Sequence, residues 1–89
     1  MRNVLVTGVS GGIGKAVAEK LLSEGVTVIG LDKSINSDIK EIANQYRGKL
    51  ALHEVDLLDV DNLGEIVKSI VTAHGPIGGF VNCAGYDKM

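Results

Sequence analysis

Val4-Leu5-Val6-Thr7-Gly8-Val9-Ser10-Gly11-Gly12-Ile13-Gly14 decides how the chain is read, because an apolar strand runs straight into a glycine turn that opens a helix. Such a turn leaves unpaired backbone N–H groups and the positive end of a helix dipole at the carboxyl end of a strand, where a phosphate is readily held. The ligand this implies is a nucleotide. A tight strand-to-helix turn with no ligand is the alternative.

The glycines divide the work. Gly8 allows the sharp departure from the strand at positive φ. Gly12 leaves room for a pyrophosphate to approach the backbone, and Gly14 lets the new helix lie against the first strand, as in dinucleotide-binding turns. The spacing is not the plain Gly-x-Gly-x-x-Gly pattern, because Val17 stands where its third glycine belongs. Nor is it a Walker loop, which needs Gly at Val9 and Ser or Thr at Ala16.

Working outward, apolar segments alternate with helical periods. A first helix runs from about Gly12 to Ser23, with Ile13, Ala16, Val17 and Leu21 as its apolar stripe and Gly25 as its stop. Val26–Leu31 reads as a second strand, apolar enough to be covered on both faces, and Asp32 sits at its carboxyl end. A second helix runs from Ser37 or Asp38 to Arg47, burying Ile39, Ile42, Ala43 and Tyr46. Leu50–Val55 makes a third strand, whose His53 and Glu54 suit a sheet edge. The third helix opens near Asp59, closes before Gly75-Pro76, and repeats Leu63, Ile66, Val67, Ile70 and Val71. Gly79–Asn82 is the fourth strand. Short loops between these elements predict an α/β fold, a Rossmann-like parallel sheet of four strands in the order 3-2-1-4 with three helices, half of a doubly wound fold. The fourth strand is then outermost, yet Phe80, Val81 and Cys83 carry none of the charge, proline or bulging that blunts an edge. It reads as a strand written for the middle of a larger sheet, which predicts self-association or pairing with a missing second half.

The totals set bounds. Eighty-nine residues make one small domain, and twelve glycines, one proline and few aromatics (Tyr46, Phe80, Tyr86) suit a tightly wound α/β chain. A net charge of −2 offers no basic footprint for nucleic acid or an anionic membrane. A single cysteine, Cys83, excludes an internal disulfide. The apolar run Val4–Val6 is too short for a secretory signal, and no segment is long enough to span a membrane, which together point to a cytoplasmic location.

With these residues in place, the whole chain resembles the first part of a short-chain dehydrogenase/reductase. Thr7 to Gly14 is similar to that family's Thr-Gly-x3-Gly-Ile-Gly turn, which brings Gly11 and Ile13 into the cofactor set beside Gly8, Ser10, Gly12 and Gly14. Asp32 resembles the family's acidic ribose ligand, Asp56-Leu57 its adenine-contacting segment, and Asn82-Cys83-Ala84-Gly85 its Asn-Asn-Ala-Gly motif. Gly8, Gly11 and Gly14 also satisfy the Gly-x2-Gly-x2-Gly spacing of the family's extended members, but those members usually carry a bulky aromatic at the place of Gly12. The resemblance implies binding of NAD and, in a complete enzyme, hydride transfer between nicotinamide and an alcohol or carbonyl substrate. Family members are more than twice this length, so the chain reads as a truncated cofactor-binding half, residues 1–89. The catalytic Tyr-x3-Lys is missing from it: Tyr46 is followed by Lys49 and Tyr86 by Lys88, neither at the required spacing. Catalytic residues and metal ligands are therefore assigned to none of the 89.

Each site residue has a plainer reading beside the functional one. Asp32, 18 residues beyond Gly14, accepts from both ribose hydroxyls or serves as a turn or capping aspartate. A carboxylate there disfavours a 2′-phosphate, although Lys33 stands next to it. Asp56 accepts from an adenine amino group or is an ordinary loop residue. Ser10 touches the pyrophosphate or satisfies its own backbone. Asn82 is structural, tying the strand end to neighbouring backbone, and Cys83 packs as a buried, inert thiol. Lys15 is a solvated helix residue. His53 and His74, far apart in sequence and without a companion cluster, are structural or solvent-facing. Two other functions stay open: a stand-alone NAD(H)-binding or regulatory module without turnover, and a Rossmann-like methyltransferase.

Overall fold

Strand and helix alternate through the chain because each glycine turn or cap hands one period to the next. The computed structural model describes residues 3–56 and 60–83. Its elements are β1 (Asn3–Thr7), α1 (Gly12–Ser23), β2 (Thr27–Asp32), α2 (Ser37–Gln45), β3 (Leu50–Glu54), α3 (Val60–His74) and β4 (Gly79–Asn82). All neighbouring strands pair in parallel, in the order β3-β2-β1-β4. The predicted fold class and strand order are those observed, and β3 is indeed an edge.

Alternation along the central strands sorts the core onto two faces. Val4, Val6 and Val28 point to one side, where they meet Ala18 and Leu22 of α1 and Ile39 and Ile42 of α2. Leu5, Ile29 and Leu31 point to the other, where Ile70 of α3 covers them together with Val55. β1 and β2 are buried on both faces, hence their nearly unbroken apolar sequence.

The boundaries shift slightly. Val26 falls outside β2, because its N–H goes to the Leu21 carbonyl and closes the end of α1. α2 stops at Gln45, where Tyr46 leaves helical geometry (φ −119°, ψ 55°), although Tyr46 still packs against the core as expected. The predicted opening of α3 at Asp59 lies outside the described residues.

One prediction about α1 is corrected. Its buried line is Gly14, Ala18 and Leu22, with Val17 and Leu21 packed at the border, whereas Ala16 is exposed and Ile13 is 47% exposed. The cause is the glycine. A Cβ on Gly14 would run into the Gly8 carbonyl oxygen, so the helix rests on the sheet through its smallest residue and the i, i+4, i+8 line follows inward. A stripe counted from apolar side chains alone passes over a contact made by a residue with none.

Candidate functional site

Because all four strands run the same way, their carboxyl ends lie along one rim. Thr7 is in register with Leu31 and with Asn82, and Asp32 with Glu54. The glycine turn is built on that rim. Gly8 sits at φ +69°, and its N–H and that of Val9 both reach the Leu31 carbonyl, at 2.8 and 3.3 Å. The Gly11 N–H donates back to the Gly8 carbonyl at 3.1 Å and closes the turn. Val9 is fully buried and fills the space over β2 left by Gly30, where a Cβ would come within 2.9 Å of both Val9 methyl groups. Gly30 therefore seats the turn, a role the sequence reading did not assign.

α1 opens with Gly11 as an extended N-cap that has no side chain to offer, and no acidic residue stands in the first turn. The first helical bond is Lys15 N–H to the Gly11 carbonyl. The N–H groups of Gly12, Ile13 and Gly14 precede it, in the stretch where a helix has no internal acceptors, and the dipole there favours an anion. A Cβ on Gly12 would meet nothing within 4 Å, so the fold itself does not require glycine at that position. Exposed Ile13 lies beside it, and Lys15 is half-buried rather than fully solvated.

Asp32, half-buried, faces this turn. Its Oδ2 accepts from the Ser10 N–H at 3.0 Å and its Oδ1 from the Ser34 N–H at 3.4 Å. The turn-aspartate role is therefore real, and it leaves acceptor capacity for a ligand, since a carboxylate has about four lone-pair sites and these bonds use two. Ser10 does not satisfy its own backbone: its hydroxyl oxygen accepts from the Asn36 N–H at 3.3 Å, and its carbonyl accepts from the Asn36 side-chain amide at 2.9 Å. Asn36 also caps α2, its Oδ1 accepting from the Ile39 N–H at 3.1 Å. An asparagine just before Ser37-Asp38 is a legible capping signal; its tie to Ser10 is not, because the two are 26 residues apart.

Asp56 is exposed just beyond β3, on the same rim. Leu57, Ala84 and Gly85 lie outside the described residues. Asn82 holds the end of β4 to β1, its Oδ1 accepting from the buried Thr7 hydroxyl at 2.6 Å. Cys83 is buried and its N–H donates to the Thr7 carbonyl at 3.1 Å, so its thiol packs as expected.

His53 and His74, read one by one as structural or solvent-facing, meet in the structure. Their Nε2 atoms are 3.2 Å apart, with ring planes at 78° and centroids 5.4 Å apart. Burial, and then the neighbouring His74, push the His53 pKa below its usual value. Among the described residues no group of three or more His, Cys, Asp or Glu could hold a metal ion, and no helix is long and apolar enough to cross a membrane.

Comparison with known proteins adds to this geometry. The short chain dehydrogenase family model matches residues 2–89. The chain is 40% identical over 73 residues to a benzil reductase ((S)-benzoin forming) of Bacillus cereus, covering 82% of this chain and 29% of that protein. It is 37% identical over 87 residues to the 3-oxoacyl-(acyl-carrier-protein) reductase FabG of Thermotoga maritima, covering 94% and 35%. A short chain dehydrogenase of Leptospira borgpetersenii with bound NAD+ superposes with a TM-score of 0.77 at 30% identity, over 93% of this chain and 31% of that one. ElxO with bound NADP gives the same TM-score of 0.77 at 30% identity, over 91% and 34%. The chain spans about a third of the length of the curated relatives it matches.

Proposed function

The chain belongs to the short-chain dehydrogenase/reductase family, and from that premise we propose that residues 1–89 are the NAD-binding part of an oxidoreductase acting on an alcohol or carbonyl substrate. One observation carries the choice of NAD: the Asp32 carboxylate stands at the rim end of β2, fixed by the Ser10 N–H beside the opening of α1. A dinucleotide with its pyrophosphate over Gly12, Ile13 and Gly14 brings its adenosine ribose to Asp32. Two hydroxyls can each donate to that carboxylate; a 2′-phosphate would set like charges together. The solved relatives hold both cofactors, NAD+ in one and NADP in another, so the preference rests on Asp32 and not on kinship.

In this reading Gly8, Ser10 and Gly11 shape the turn, and Asp56 with Leu57 receives the adenine. Asn82, Ala84 and Gly85 close the rim at β4. The nicotinamide, when bound, supplies the hydride acceptor or donor. The named relatives are both reductases, which supports a carbonyl substrate. A cytoplasmic location fits the same reading.

Asp32→Ser is expected to weaken NAD binding and narrow the preference over NADP by about 1–3 kcal/mol, the scale of losing charge-assisted hydrogen bonds. Calorimetric titration of both cofactors measures it, and an unchanged preference would withdraw the assignment. A second reading is an NAD(H)-binding module without turnover. Formation of NADH from a simple secondary alcohol would exclude it.

A further inference from the structure

Every hydrogen-bonding heavy atom of Ser10 is tied to the loop between β2 and α2. Its N–H donates to Asp32, its carbonyl accepts from the Asn36 side-chain amide, and its hydroxyl oxygen accepts from the Asn36 N–H. Asp32 and Asn36 are the two ends of that loop, with Lys33, Ser34 and Ile35 between them. The result is a closed ring in which one turn residue clasps both ends of a short loop, and Ser34 is drawn in further by its own N–H to Asp32. Asn36 is anchored from behind as well, since its Oδ1 caps α2. One asparagine thus joins the glycine turn, the ribose carboxylate and the start of α2.

We propose that Asn36 is a positioning residue that sets the preference for NAD over NADP, by clasping the 33–35 loop against the glycine turn on the 2′ side of the adenosine ribose. The inference rests on the dinucleotide reading above. Its physical content is preorganisation. A loop already held in place does not have to be ordered when the ribose arrives, so NAD gains affinity. A 2′-phosphate needs the opposite: the loop must draw back from Asp32 and bring the Lys33 ammonium toward the new charge. The clasp resists that movement. Cutting it removes an advantage from NAD and an obstacle from NADP, so the preference between them narrows in a way that general loosening of the fold does not produce.

Asn36→Ser separates the clasp from the cap. Serine is a good N-cap and can still accept from the Ile39 N–H, but it has no amide to donate to the Ser10 carbonyl. NAD and NADP are titrated calorimetrically into the wild-type chain and the variant, with Asn36→Thr as a second cap-preserving variant should the first not fold. The affinity ratio of NAD to NADP is expected to fall about two- to tenfold, the equivalent of one net hydrogen bond, with NAD weakened and NADP unchanged or improved. In the absence of nucleotide, the amide protons of residues 34 and 36 are expected to exchange faster in the variant. Equal weakening of both cofactors would reduce Asn36 to a structural residue and overturn the inference, as would unchanged binding of both. A wild-type chain that binds neither nucleotide would overturn the dinucleotide reading itself, and this inference with it.

Discussion

Three glycines in and under the turn make separable demands. Gly14 has a backbone carbonyl where its Cβ would lie, and backbone cannot rotate away. Gly14→Ala is expected to cost about 3 kcal/mol, the upper part of the overpacking range, out of the roughly 5–15 kcal/mol that hold a domain of this kind. The atoms nearest a Cβ on Gly30 are the Val9 methyl groups and a Leu52 methyl, so Gly30→Ala should cost about 1 kcal/mol as those side chains yield. Gly12 meets nothing, and Gly12→Ala should leave stability unchanged or raise it by up to about 1 kcal/mol, since alanine is the better helix former. If the space over Gly12 is for a pyrophosphate, that same variant loses dinucleotide affinity. Urea denaturation of the three variants tests the order; a destabilised Gly12→Ala would mean that its space belongs to the fold. At this scale the sequence made Gly8 and Gly14 legible, because a turn off a strand has few chemical solutions. Gly30 and Asn36 were not legible in their full roles, since each acts on a residue more than 20 positions away.

Helix and strand meet in a second way at the two histidines. His53 lies on β3 and His74 ends α3, so the Nε2 to Nε2 contact fastens the end of that helix to an edge strand. The contact holds when one ring donates and the other accepts; when both are charged, two N–H groups face each other across 3.2 Å. The described groups adjoining the pair in the chain are Glu54 on β3, and on the β1 side the Asn3 amide, which donates to the His74 carbonyl. With the His53 pKa lowered in the folded chain, the unfolded chain binds more protons between that value and 6.5. Stability is therefore complete above pH 6.5 and is expected to fall as pH drops through that window. His53→Gln should flatten this dependence, as read from urea midpoints at pH 7.5, 6.5 and 5.5; parallel curves for the two proteins would dismiss the clasp. Neither residue advertises the other, because 21 positions and the packing of α3 stand between them. The elements themselves were legible from period and punctuation, apart from the face of α1. There the apolar count favoured Ile13 and Ala16, and close glycine contact turned the helix the other way.

At the scale of the molecule, β4 is an outer strand of the sheet among the described residues. Phe80 is 60% exposed, and Val67 and Val71 of α3 are also exposed. One side of β4 is occupied by β1, and no other strand of the described residues pairs with it. The 89-residue chain is expected to associate at micromolar concentration, and Phe80→Lys should reduce that association; a clean, soluble monomer by light scattering would contradict it. The order of the sheet was legible because right-handed crossovers and short loops leave few arrangements for four parallel strands. In the proposed function, selection of a cofactor belongs to the same rim, which carries the Asp32 carboxylate and the glycine turn that opens α1. The most direct measurement is calorimetric titration of NAD and of NADP into the unmodified chain. Tighter binding of NAD is expected. Equal or tighter binding of NADP would mean that Asp32 does not receive the ribose, and the site would have to be reassigned.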